Sequence, residues 1–237
     1  MADALIQPPG IDFSRVRALC FDVDGTLSDT DDLWAHRIST ALTPVKWLAP
    51  RWDARAFARW MIIGLETPGN LLYHWMDRLH FDDELAVIYN RLAHLNRKKA
   101  PRKFWIIPQV MEMLSALRSA YPMSVVSARD QISTHAFLRQ FDLLPHFQTV
   151  VTSQTCQYTK PFPDPIVHAA KAMGVHPEEC LMIGDTTVDI LAGKAAGAQT
   201  VGVLCGFGKE DELRRAGADL ILPTTADLVP YLLQPSS

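Results

Sequence analysis

Short apolar runs recur along the chain, and several of them stop at acidic or hydroxyl residues. Ala18-Leu19-Cys20-Phe21 ends at Asp22-Val23-Asp24-Gly25-Thr26, and Met123-Ser124-Val125-Val126 ends at Ser127. Cys180-Leu181-Met182-Ile183 runs into Gly184-Asp185-Thr186-Thr187-Val188-Asp189. Apolar runs this short, bounded by turn residues, predict buried strands. Further strands are expected over 149–152, 200–204 and 219–222. Between them, Asp164-Pro165 reads as an N-cap followed by proline at the first helical position. Gly174 closes that helix, and Gly197 closes the one that follows Asp189. This repetition predicts an α/β fold, a Rossmann-like and mostly parallel sheet with helices on both faces.

From Thr26 to Met123 the period changes from two to about 3.6. Leu85, Ile88, Tyr89, Leu92 and Leu95 share one face of a helix expected over 84–99, with Asp82 or Asp83 able to cap its start. Phe57, Trp60, Met61, Gly64 and Leu65 form an earlier stripe, which Thr67-Pro68-Gly69-Asn70 breaks. The chain therefore divides into a core over 1–29 and 104–237 and an inserted all-helical cap over 30–103. Asp29, Asp31 and Asp32 flank or cap the first cap helix. Trp34, Trp47, Trp52, Trp60 and Trp75 all fall in the insert, where packing is their default role.

With 237 residues, 48% of them hydrophobic, the chain has ample material for one large domain, or for one domain plus a small accessory one. A formal charge of −3 gives no global attraction to nucleic acid or to acidic membranes. The one basic cluster, Arg97-Lys98-Lys99 with Arg102-Lys103, adjoins the expected cap boundary and lacks interleaved aromatics. Cys20, Cys156, Cys180 and Cys205 show no paired spacing, and two of them sit in strand runs, which suits free thiols in a reducing compartment. The eight histidines lack zinc-ligand spacing with cysteine. No basic-then-apolar leader and no run of about 20 apolar residues is present, so a soluble cytoplasmic protein is expected.

The acidic strand ends carry the chemistry. Strand alternation points Asp22 and Asp24 the same way, and two such carboxylates repel unless a cation or a shared proton lies between them. Gly25 permits the turn and Thr26 supplies a hydroxyl. Parallel strands open their ends onto a common crevice, so Asp22, Ser127, the Lys160-Pro161-Phe162-Pro163-Asp164 stretch and Asp185 can converge.

This ordered set, Asp22 to Thr26, Ser127, Lys160 and Gly184 to Asp189, resembles the haloacid dehalogenase superfamily of hydrolases, in its phosphoglycolate-phosphatase-like branch with a helical cap. Two positions depart from the usual pattern: Ser127 is followed by Ala128-Arg129 rather than small or amide residues, and Pro108 by Gln109 rather than glycine. The resemblance implies a Mg²⁺-dependent phosphatase acting on a small phosphorylated metabolite. Asp22, the Asp24 carbonyl and Asp185 would hold Mg²⁺, whose preference is for hard oxygen donors. Asp22 would attack phosphorus to form an aspartyl-phosphate, and Asp24 would serve as general acid and base. Thr26, Ser127 and Lys160 would bind the phosphoryl group, and Asp189 would orient Lys160 or a metal-bound water. Glu66 and Asn70, in a segment similar to a cap loop that reaches towards substrate, are candidates for substrate choice, as is Arg129. A phosphomutase on the same core and a non-catalytic regulatory protein of the same fold are the alternatives. Retention of Asp24 speaks against a dehalogenase. Neither nucleic acid nor membrane is an expected partner, and either a monomer or a homodimer is compatible with the sequence.

Overall fold

The computed structural model describes residues 10–29 and 103–233. The cap expected over 30–103, apart from Lys103, lies outside the described residues, and with it Glu66, Asn70 and the five cap tryptophans. Six strands form a single parallel sheet: β1 (Ala18–Phe21), β2 (Met123–Val126), β3 (Thr149–Val151), β4 (Cys180–Gly184), β5 (Gln199–Val203) and β6 (Leu220–Leu222). Their order is β3-β2-β1-β4-β5-β6. Successive connections leave β1 in one direction towards β3, and return beside it at β4 to proceed towards β6. The order thus reverses between β1 and β4, and parallel sheets open a crevice at the carboxyl ends of strands flanking such a reversal.

Period-two alternation divides the strand side chains between two cores. Leu19, Phe21, Met123, Val125, Leu181 and Ile183 face one side, packed with Leu114 and Leu117 of α1 (Val110–Leu117) and with Phe137 and Leu138 of α2 (Gln131–Gln140). Ala18, Cys20, Val126, Cys180 and Met182 face the other side, packed with α3 (Asp164–Met173) and α4 (Thr187–Ala195). Small residues dominate this second core, with Ala169, Ala170 and Ala192 on the helices, so those helices can approach the sheet closely. Both faces of the central strands are buried, as their unbroken apolar runs require. Beyond β5 come α5 (Glu210–Arg215) and the short α6 (Val229–Leu232).

Several boundaries differ from the sequence reading, among them β3, which ends at Val151, and β4, which runs on to Gly184. Helix α3 begins one residue early, with Pro163 as N-cap and Asp164 and Pro165 both in the first turn, where a missing N–H costs nothing. Strand β5 begins at Gln199 and ends at Val203. Strand β6 begins after Asp219, because that carboxylate accepts from the Thr200 backbone N–H at 2.8 Å and from Lys194 Nζ at 2.5 Å. The helix stops agree with the reading: Gly174 is left-handed at φ 73°, and Gly197 follows the last turn of α4 at φ 78°. Among the described residues no helix is long and apolar enough to cross a membrane.

Gln109, noted above as standing where glycine is frequent, is itself left-handed, at φ 64°, immediately before α1. A side chain in that region costs about 1–2 kcal/mol, part of which glycine would return through its freer unfolded chain. Gln109→Gly should therefore stabilise the protein by up to ~1 kcal/mol, or about 2–4 °C in Tm by thermal denaturation, with unchanged catalysis.

Candidate active site

Asp22 follows β1 directly, and its backbone N–H still bonds the Ile183 carbonyl of β4 at 2.9 Å. The carboxylate is thereby fixed at the reversal point of the sheet. Gly25 turns the chain at φ 68°, and a Cβ there would lie 2.1 Å from Asp185 Oδ2, so both conformation and space require glycine. Asp185 follows β4. Asp189 sits at the third position of α4 and closes a capping box: its Oδ2 accepts from the Thr186 N–H at 3.0 Å and from Thr186 Oγ1 at 2.7 Å.

Carboxylate oxygens of Asp22, Asp185 and Asp189 all lie within 4.8 Å of one another, and all three residues are buried. Lys160, on the loop between β3 and α3, reaches into them, with Nζ 2.6 Å from Asp22 Oδ1 and 2.5 Å from Asp189 Oδ1. Three buried carboxylates thus face one buried ammonium among the described residues. Burial pushes Asp22 up to about 7, with Lys160 pulling the other way and Asp189 and Asp24 adding to the rise. Burial likewise raises Asp185 well above the ordinary carboxylate range, reinforced by Asp189 and Asp22. For Lys160 burial favours the neutral amine, but Asp189 and Asp22 outweigh it and raise the ammonium's pKa. Concentrated negative charge of this kind calls for a further cation. The donors are hard oxygens, which suit a hard divalent cation rather than a thiophilic metal.

The remaining predicted residues are distributed around this centre. Ser127 is buried at the end of β2, its Oγ accepting from the Arg129 N–H at 3.1 Å. Thr26 lies fully buried with its hydroxyl 3.5 Å from Asp185 Oδ1, and its carbonyl accepts from Thr225 Oγ1 at 2.6 Å. That places the hydroxyl against a carboxylate. Asp24 is about one-third exposed, and its carboxylate turns to Arg129, which donates from Nε at 2.6 Å to Oδ2 and from Nη2 to Oδ1. Asp24 is not among the three carboxylates that cluster within 4.8 Å, but its charge still acts on Asp22.

The segment after β5 carries groups that the sequence reading did not select. Phe207 donates its backbone N–H to Asp185 Oδ2 at 2.8 Å. On either side, a Cβ at Gly206 would lie 2.2 Å from Asp185 Oδ2, and one at Gly208 would lie 1.8 Å from the Asp185 carbonyl oxygen. The signal was a Gly-x-Gly just past a buried strand, a pattern that lets backbone approach closely. Gly208→Ala should displace this loop from Asp185 and lower kcat by about 10²-fold or more, as misplacement of a reacting geometry by about 1 Å does. Steady-state turnover beside a circular dichroism check of folding measures it.

The model of the haloacid dehalogenase-like hydrolases matches residues 19–203, a span that holds the acidic, hydroxyl, lysine and Gly-Asp segments. The chain belongs to that family. Phosphoglycolate phosphatase of Escherichia coli strain K12 is 25% identical over 243 aligned positions, covering 95% of this chain and 96% of that protein. A haloacid dehalogenase family hydrolase of Deinococcus radiodurans, crystallised with bound phosphate and sodium, superposes with a TM-score of 0.68 at 26% identity, over 94% of this chain and 99% of that one. A putative β-phosphoglucomutase from Thermotoga maritima shares the fold, with a TM-score of 0.60 at 20% identity, over 92% and 98% of the two chains. As in other parallel α/β folds, the chemistry resides in what the strand ends present, and among the described residues these ends gather carboxylates, an ammonium and the Ser127 hydroxyl.

Proposed function

We infer that this hydrolase is a Mg²⁺-dependent phosphatase, cleaving a small phosphorylated metabolite of the phosphoglycolate kind through an aspartyl-phosphate. The observation that carries the reading is the cluster of Asp22, Asp185 and Asp189 around Lys160. Three carboxylates and an ammonium suit an anionic nucleophile approaching an anionic phosphoryl group only with added positive charge. The Asp22 carboxylate, the Asp24 carbonyl and Asp185 would hold Mg²⁺, which when bound neutralises phosphoryl oxygens and keeps the nucleophile ionised. Asp22 then attacks phosphorus, the ester oxygen leaves, and Asp24 supplies its proton. Water next attacks phosphorus, Asp24 takes its proton, and Asp22 is released. Lys160 and Ser127 hold phosphoryl oxygens, Asp189 fixes Lys160, and Thr26 supports Asp185.

Substrate choice belongs to the cap over 30–103, with Glu66 and Asn70 as the groups to test. Buried free Cys20 and Cys180 suit a reducing, cytoplasmic setting. A screen of phosphate monoesters with Mg²⁺, scored by released phosphate and kcat/KM, should place phosphoglycolate among the fastest. Absence of release from every ester would overturn the reading, and transfer to a second sugar hydroxyl in place of release would favour the mutase.

The raised carboxylates also give a pH-dependent stability. A folded-state value near 7 for Asp22 against about 4 unfolded means the folded protein binds more protons between those values. In metal-free protein this contribution is present below about pH 4 and is lost as the pH rises through about 7. Mg²⁺ binding, which needs the ionised carboxylates, should accordingly raise Tm more at pH 8 than at pH 5. Thermal denaturation with and without Mg²⁺ at the two pH values measures the difference.

A further inference from the structure

Arg129 stands two residues after Ser127, and its guanidinium lies 5.4 Å from the Phe104 ring centroid and 5.8 Å from that of Phe137. Those rings are themselves buried and packed edge to face, so the guanidinium plane is held from behind. In front, Nε and Nη2 donate to the two oxygens of Asp24 as a planar fork, and Nη2 also lies 3.5 Å from Ser28 Oγ. The Arg129 side chain is 15% exposed, against 33% for Asp24. A carboxylate that accepts on both oxygens from one planar fork is held in a single orientation.

We propose that Arg129 is a positioning residue for the second half of the reaction, holding Asp24 as the base that takes the proton from the water attacking phospho-Asp22. This rests on the phosphatase reading above. In that step the water oxygen bonds to phosphorus and the bond from phosphorus to Asp22 breaks. The water proton passes to Asp24, and inorganic phosphate and the Asp22 carboxylate are released. The proposal gives Arg129, a candidate for substrate choice in the sequence reading, control of Asp24 instead.

p-Nitrophenyl phosphate separates the two halves, because its leaving group departs without a proton and its coloured product reports phosphoenzyme formation. With Arg129→Ala in Mg²⁺, steady-state kcat on this ester should fall by about 10²-fold, the scale of a misplaced general base. kcat/KM, which reports the first half, should change by less than about threefold, so KM falls together with kcat. Rapid mixing should show a burst of about one nitrophenolate per active site, and acid-quenched phosphoenzyme should decay correspondingly slowly. Arg129→Lys, which keeps the charge but not the fork, should lie between. Equal losses in kcat and kcat/KM without phosphoenzyme accumulation, in Arg129→Ala or, if that variant does not fold, in Arg129→Lys, would overturn the proposal. So would a rise in KM confined to carboxylate-bearing esters, since that marks a substrate reader. Those outcomes leave the phosphatase reading intact, whereas wild-type protein that releases no nitrophenolate would overturn both.

Discussion

Asp22→Asn should abolish turnover while the fold survives. Asparagine keeps the shape of the side chain that ends β1, but it neither attacks phosphorus nor ligates as a carboxylate does, so kcat should fall by at least about 10⁴-fold. Stability should move the other way. Asp22 is one of three clustered buried carboxylates, and burial, with Asp189 and Asp24 adding to it against the pull of Lys160, pushes it up to about 7. A neutral amide therefore relieves the metal-free protein at pH 8. Tm in EDTA should equal or exceed that of wild type, while the Mg²⁺-induced rise in Tm shrinks. Parallel measurement of released phosphate and thermal denaturation separates loss of chemistry from loss of structure. A variant that retains substantial turnover, free of wild-type contamination, would remove Asp22 from its role.

Lys160→Met should be the most damaging change in the opposite sense, costing both activity and stability. Lys160 Nζ bridges Asp22 and Asp189, with both carboxylates almost fully buried. Removing the ammonium leaves three buried carboxylates facing each other without it, and breaking a buried pair in this way costs about 3–5 kcal/mol. Loss of a charge aimed at the phosphoryl group should lower kcat by a further ~10²–10³-fold. Mg²⁺ should recover part of the stability, because it supplies positive charge to the same carboxylates, but not the turnover. Denaturant unfolding in EDTA and in Mg²⁺ tests the first claim, and steady-state kinetics the second.

The parts of the fold legible in the sequence are those where local pattern and tertiary context agree. β1 and β4 are unbroken apolar runs and β2 is interrupted only by Ser124, as strands buried on both faces require. Their acidic and hydroxyl endings were legible for the same reason, since a strand end places them at the sheet's carboxyl edge. The start of β6 was not, because Asp219 is withdrawn from the strand by Thr200 and Lys194, partners 19 and 25 residues away. The Lys160–Asp189 contact is one of the two alternatives that the family resemblance implied for Asp189, although Asp185 itself precedes the helix. The Arg129–Asp24 pair joins residues 105 apart, with no periodicity to announce it, so only the fold shows it. Gly206-Phe207-Gly208 did carry a signal, but its meaning depends on Asp185 lying beneath it.

The proposed mechanism requires a phosphorylated Asp22. Protein mixed with p-nitrophenyl phosphate and Mg²⁺, quenched in acid and digested, should yield a phosphorylated peptide with the modification on Asp22. The modification should be lost in mild base and be absent from Asp22→Asn and from samples held in EDTA. Nitrophenolate release at wild-type rates in EDTA, or a phosphoryl group mapped to any other side chain, would contradict it.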